Sequence, residues 1–254
     1  MATLRIGTAG WALPAQHRHH FPTDGSNLAR YAGRLNAAEI NSSFHRPHRR
    51  ATYERWADET PGNFRFSAKL PKTITHQKRM VDCAEALDRF IDEVSGLGSK
   101  LAVLLVQLPP KLPFDRALAE AFFTDLESRT RARIACEPRH PSWFEPAAID
   151  MLSRLDIARV VADPMLVEGG DRPGGATDLV YFRLHGAPRI YFSGYSAERL
   201  DDFAAAMCTA ATHARDIWCI LDNTAGSHAT GDALALRTSL DSALLRGTWP
   251  IAWR

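Results

Sequence analysis

The feature that most constrains this chain is a rhythm. Short β-rich runs recur at 3–8, 37–41, 64–69, 101–108, 133–137, 159–163, 179–185 and 217–222, and helical patterns lie between most of them. Strand–helix alternation implies parallel pairing, because each return to the same end of a sheet needs a crossover long enough to hold a helix. Eight such strands in 254 residues fit a closed TIM-type (β/α)8 barrel better than an open doubly wound sheet. The expected class is therefore α/β, with a single domain over 1–254. The stretch "DCAEALDRFIDEVSGLG" shows the helical half of the rhythm. Asp82 is placed to cap it, Leu87, Phe90, Ile91 and Val94 recur at helical spacing, and glycines end it. Segments 115–129, 146–155, 196–214 and 232–245 behave alike.

Two connections depart from the ideal. "WALPAQHRHHFPTDGSN" follows the first strand and reads as a long loop over the barrel mouth. "PMLVEGGDRPGGATD", between strands six and seven, is too rich in Gly and Pro for a regular helix, so at least one outer helix should be missing.

Side chains alternate across a strand, so apolar positions fix which face meets the helices. In "VYFRLHG", Val180, Phe182 and Leu184 should face outward, leaving Tyr181, Arg183 and His185 inside. The same reasoning points Glu39 and Asn41, then Arg65, Ser67 and Lys69, then Glu137 into the interior. Arg5 and Arg65 lie near strand starts and read as structural ion-pair residues. Glu39, Lys69, Glu137 and His185 lie at strand ends, the face where this fold carries its chemistry. "CEPRHPSW" is then a strand end turning into a site-lining loop.

Composition narrows the partners. A formal charge of +2 does not mark an overall nucleic-acid binder. The four cysteines show no metal or redox spacing and read as reduced core residues. The start "MATLRIGT" reads as a strand rather than a signal segment, and no run approaches membrane-spanning length, so a cytoplasmic protein without membrane contact is expected. "IGTAGW" is not a dinucleotide fingerprint, so neither a nicotinamide nor a flavin cofactor is expected.

"IGTAGW", "AEINSSFHRP", "RFSAKLPKTITH", "VLLVQLPP", "CEPRHPSWF", "DLVYFRLHG" and "LDNTAGSHATGDAL" resemble, in order, the motifs of the YecE-like family, domain of unknown function seventy-two. The resemblance runs from Ile6 to about Leu236 and implies a TIM-type barrel without naming a reaction. It places motif positions on Thr8, Trp11, Glu39, Asn41, Ser42, Phe44, Lys69, His76, Gln107, Glu137, Arg139, His140, Trp143, Arg183, His185, Gly186 and Asn223. Two positions depart from the pattern. His45 stands where relatives often carry an aromatic, and Asp222 stands where Asn is common, so no role is carried over to Asp222.

Glu39 and Glu137 suit general acid/base work or the holding of a divalent metal; equally, each could pair with Arg183 or Lys69 and only orient it. Lys69 at a strand end could form a Schiff base, but neutralising a carboxylate or a substrate anion is the favoured role. Arg183, His185, Arg139, His140 and His76 form a cationic group, which implies a small anionic substrate bearing phosphate, carboxylate or a sugar-like group. Thr8, Trp11, Asn41, Phe44, Gln107, Trp143 and Asn223 complete the expected substrate-binding set, and Gln107 could instead cap loop backbone. His17, His19 and His20 read as a solvated basic loop rather than a metal site. Two other readings remain. One is a nuclease- or repair-like barrel gripping DNA or RNA through Arg46, Arg49 and Arg50, with Trp11, Phe44 and Trp143 stacking. The other is a non-catalytic ligand-binding barrel. The oligomeric state is not encoded in any motif.

Overall fold

The computed structural model describes residues 2–245. Its elements, in chain order, are β1 (Thr3–Thr8), α1 (Asn27–Ala32), β2 (Ala37–Ile40), α2 (Arg50–Asp58), β3 (Arg65–Lys69), α3 (Ala84–Val94), β4 (Leu101–Gln107), α4 (Arg116–Arg129) and β5 (Arg133–Glu137). There follow α5 (Pro146–Arg154), β6 (Ala158–Arg159), β7 (Val161–Asp163), β8 (Gly174–Gly175), β9 (Leu179–Leu184), α6 (Ala197–Ala210), β10 (Asp216–Leu221) and α7 (Ala229–Leu245).

The helices form where polar caps and spaced apolar residues permit. Asp115 accepts from the Leu118 amide to start α4, and Ser196 does the same from Arg199 for α6. In α3, Leu87, Phe90 and Val94 are buried at helical spacing. Asp82 is not its cap. Cys83 occupies that position without a side-chain cap bond, and Asp82 sits at φ 48° in a turn that also holds Arg79 and Met80 at positive φ.

The architecture is α/β with parallel sheets. One sheet runs β1-β10-β9-β7 and the other β2-β3-β4-β5-β6-β8. All pairings are parallel except β6 with β8. The ladder is therefore two sheets rather than one continuous eight-stranded ring. The run expected at 159–163 is split. Ala158 and Arg159 pair with β5, while Val161–Asp163 pairs with β9. Between them, Val160 still donates its amide to the Cys136 carbonyl. The Gly/Pro-rich segment that follows contains β8 and no helix, as its composition requires.

At the other seam, β1 meets β2 through a side chain. Asn36 accepts from the Ile6 amide at 2.9 Å and donates to the Leu4 carbonyl at 2.7 Å. It thereby supplies the pairing that backbone would give in a ladder. Gly7 is needed here, because a Cβ would lie 2.0 Å from the Ala37 carbonyl oxygen. One parallel bridge, Ala9 with Glu39, joins the strands just beyond.

Two apolar clusters follow from the alternation. Val180, Phe182, Leu184, Ala38, Ile40, Phe66, Ala68, Ile134 and Cys136 belong to the larger one, shared with the helices. Ala37, Val103, Leu105, Ala135, Ala158, Tyr181, Trp218 and Ile220 form a smaller one drawn from strands of both sheets. Side chains of the two sheets thus meet in this smaller cluster. The cysteines carry free thiols. Among the described residues, no helix is long and apolar enough to cross a membrane.

Candidate functional site

Strand ends deliver the charged residues to one place. Glu39 lies in β2, Lys69, Gln107 and Glu137 end β3, β4 and β5, and Arg183 lies at the end of β9. His185 and Asp222 follow β9 and β10 directly. Because these positions alternate inward, their side chains converge from opposite walls.

Arg183 is the hub, and it is fully buried. Its Nε and Nη2 donate to Glu39 at 3.0 and 2.6 Å, and its Nη1 donates to Glu137 Oε2 at 2.9 Å. Asp222 Oδ2 lies 3.0 Å from Nη2. Three carboxylates thus surround one guanidinium, whose planar fork suits multidentate pairing.

Glu39 and Glu137 have further partners. Tyr181 donates its hydroxyl to Glu39 Oε2 at 3.0 Å and meets Ser67 Oγ at 2.7 Å. Gln107 donates to Glu137 Oε2 at 3.0 Å, and Arg139 donates to Glu137 Oε1 at 3.1 Å. His185 stands between two acids, with Nδ1 3.0 Å from Asp222 Oδ2 and Nε2 3.2 Å from Glu137 Oε1. Both ring nitrogens face carboxylates, so the ring is satisfied only as the imidazolium, which donates on both sides.

The electrostatics agree. Burial alone would lift the Glu137 carboxyl, but Arg183, then His185, outweigh it and hold it well below the usual carboxylate range. Burial opposes the His185 cation, yet Glu137 and Asp222 raise its pKa overall. Asp222 is likewise lowered, burial being overcome by Arg183 and His185.

Charges then balance. Glu39, Glu137 and Asp222 are matched by Arg183, Arg139 and His185. Lys69 is the surplus cation. Among the described residues no hydrogen bond or ion pair holds its ammonium, which lies over the Phe44 ring at 4.1 Å. Burial first, and Arg183 second, lower its pKa to about 8 against the opposing pull of Glu39, Glu137 and Asp222. His76 stacks edge-on to Phe44 at 5.0 Å. Its pKa is lowered by burial, then by Lys69 and Arg139. Lys69, Phe44, His76 and Arg139 therefore make up the rim of the buried network.

Other expected site residues are placed differently. Thr8 donates to the Gly10 carbonyl at 2.6 Å and lies 3.0 Å from the Tyr31 hydroxyl, which ties down the end of β1. Trp11 packs edge-on to Trp56 and Phe66 in an aromatic group on the helix side. Trp143 is fully buried, donates to the Leu112 carbonyl at 3.0 Å and packs on Phe114 and Phe123. It offers no face to a ligand. His140 bonds Ser142 Oγ at 2.8 Å and caps the turn Pro141–Phe144. Asn223 donates to the Ser193 carbonyl at 2.9 Å and to Asp232 at 2.6 Å, anchoring the loop after β9. Asn41 precedes the turn Ser42–Phe44 without making a side-chain cap bond and keeps a buried Oδ1 without a partner.

Four members of the network had no assigned role in the sequence. Asp222, Tyr181 and Ser67 carried a usable signal, since each lies on an inward position or at a strand end. Tyr191 carried none. It comes from the loop after β9, accepts from Arg139 at 3.2 Å and stacks edge-on to His185 at 5.5 Å.

A divalent metal does not fit this donor set. Both oxygens of Glu39 and of Glu137 already accept hydrogen bonds from nitrogen or hydroxyl donors. Among the described residues, no group of three or more His, Cys, Asp or Glu side chains is arranged to hold a metal ion. The Arg-rich loop is not bare either, because Arg50 pairs with Glu54 and Asp92.

With this geometry in place, comparison with known proteins is informative. The family described as "Protein of unknown function DUF72" matches residues 5–250. The chain belongs to that family. A curated relative, the UPF0759 protein YecE of Escherichia coli K12, is 27% identical over 142 residues, which is 56% of this chain and 50% of that protein. The match thus spans about half the length of that relative. Among solved structures, a family member from Enterococcus faecalis V583 superposes with a TM-score of 0.79 at 20% identity, covering 94% of this chain and 96% of its own. A fusion protein of a xylose isomerase-like TIM barrel and a 4-hydroxyphenylpyruvate dioxygenase gives 0.55 at 13% identity, over 99% of this chain and 45% of its own. These likenesses concern the fold.

Proposed function

We propose that the two sheets act as the wall of one (β/α)8-type barrel domain, and that the protein is an enzyme acting on a small anionic substrate at the rim of the Arg183 network. The observation that carries this reading is the surplus cation. The buried network is balanced within itself, so Lys69 has no direct ion-pair partner: Glu39, Glu137 and Asp222 act on its charge only from a distance, and the ammonium is available to meet an anion from outside. Arg139, only partly exposed, and His76 stand beside it to bind further oxygens of a phosphate or carboxylate. The unpartnered Asn41 Oδ1 supplies an acceptor for a substrate hydroxyl or amide.

The roles then divide. Glu39, Glu137, Asp222 and Arg183 act as a positioning frame, since both oxygens of each Glu and Oδ2 of Asp222 are already engaged by cations or donors and Glu137 is held far from any pKa useful for proton transfer at neutral pH. Lys69 does the chemistry. With a pKa of about 8 it is mostly protonated at neutrality, and it can stabilise developing negative charge or donate a proton to it.

Sulfate, which does not titrate near neutrality, is the probe for this reading. Titration calorimetry should show sulfate binding that weakens as pH rises through about 8 and that is lost in Lys69→Met at every pH. Binding that is flat from pH 7 to pH 9.5, or unchanged in Lys69→Met, would remove the basis of the assignment.

A further inference from the structure

Beside the rim, a cavity of about 390 Å³ opens between the loops after β2 and β3 and helix α3. Nothing in the network uses it. Its size falls in the range of small-molecule sites. Phe44, Pro47, Pro71, Ala86 and Phe90 line it with ring and aliphatic surface. Charges of both signs stand around them, among them Arg46, Lys72 and Glu85.

Phe44 is common to both places. The Lys69 ammonium lies over its ring, and the same side chain lines the cavity. The join is short in sequence as well. Pro71 follows Lys69 by two residues, and Ser43, another lining residue, donates its hydroxyl to the Lys69 carbonyl at 2.6 Å. Lys69 itself does not line the cavity, so a molecule whose anionic group meets Lys69 reaches this surface of aromatic and proline rings by extending past the Phe44 ring. Such surfaces favour flat, apolar bodies, because face and edge contacts to a ring add to simple area burial. The mixed charges at the edge suit polar substituents on that body rather than a second strong anion.

We propose that this cavity is the subsite for a planar ring carried by the anionic substrate, so that the substrate class is a ring-bearing phosphate or carboxylate rather than a bare small anion. The inference rests on the anion reading at Lys69 and extends it. The ring could be a simple aryl group or a nucleobase, since both present the same flat face.

Titration calorimetry on the full chain at pH 7 tests it with inorganic phosphate, phenyl phosphate and adenosine monophosphate. At least one ring-bearing ligand should bind about tenfold or more tighter than inorganic phosphate, the scale expected for burying one ring. A gain confined to adenosine monophosphate would assign the subsite to a nucleobase, and a gain with phenyl phosphate to any flat ring. In Ala86→Trp, which fills the cavity, the gain should vanish while inorganic phosphate binds as before. Ala86→Leu takes its place if the larger side chain prevents folding, as judged by circular dichroism. Equal affinity for all three ligands, or a gain that survives filling, overturns the subsite and leaves the anion reading standing. No binding of any of the three overturns both.

Discussion

Inward-pointing charges occur at both ends of the strands, and they are treated differently. At the strand starts, Arg5 faces Asp216 at 3.3 Å, a single ion pair in which both side chains keep some exposure. Arg5 also lies over the Trp218 ring at 5.7 Å, and Arg65 satisfies itself on the carbonyls of Gly62 and Phe64. At the strand ends, Arg183 is fully buried among three carboxylates, and two further cations complete the balance. A lone, partly wet pair is ordinary structural electrostatics. A dry network with a spare lysine at its rim is costly to build and adds little stability over apolar packing, so its presence argues for use.

The contrast can be broken most directly at its two arginines. Arg183→Met leaves three carboxylates buried without their cation and should cost about 3–5 kcal/mol in urea unfolding. Arg5→Met should cost about 1 kcal/mol or less. Similar losses at both sites would erase the distinction.

Lys69 offers an effect of opposite sign. Its folded pKa of about 8 lies below the ordinary 10.5, so the unfolded chain binds the extra proton between those values and stability rises with pH across that window. The penalty is complete below pH 8 and gone above 10.5. Lys69→Met should therefore stabilise the fold by roughly 2–3 kcal/mol at pH 7, with the gain fading above pH 8. A destabilised Lys69→Met would mean that the ammonium has a partner inside the fold.

His185 sharpens the comparison from the other direction. Its pKa is raised above 6.5, so its contribution is full below that value and lost as pH climbs through the folded value. His185→Gln should flatten the fall of stability as pH climbs above 6.5, read as a shallower decline of melting temperature with pH than in the unaltered protein. An unchanged slope would show that the imidazolium is not part of the balance.

The smallest effect is expected on the outer surface. Arg50 holds Glu54 and Asp92 in exposed pairs. Removing Arg49 and Arg50 together should change stability by less than about 0.5 kcal/mol and leave sulfate binding untouched. Loss of sulfate binding in that variant would move the anion site from the strand ends to the loop.

Much of this was legible without coordinates. The strand rhythm, the outward Val180, Phe182 and Leu184, and the inward Arg183, Glu39, Glu137 and Lys69 follow from a period of two, which sterics enforce locally. Three features were not legible. The break at Val160 depends on which neighbour each half of the run meets. Trp143 and His140 sit in a loop, where no periodicity says whether a side chain turns to the core, to its own backbone or to a ligand. Asp222 differed from the family pattern and was given no role, yet its carboxylate serves both Arg183 and His185.

The sequence by itself determined which residues share the interior, because alternation along a strand is a property of neighbouring residues. Only the tertiary structure decided how their charges pair, because that depends on distances between strands far apart in the chain. Arg183 and Glu39 are 144 positions apart, and their contact exists only once the strands are assembled. The same assembly leaves Lys69 unmatched. That surplus is a property of the whole charge set, and no single segment encodes it.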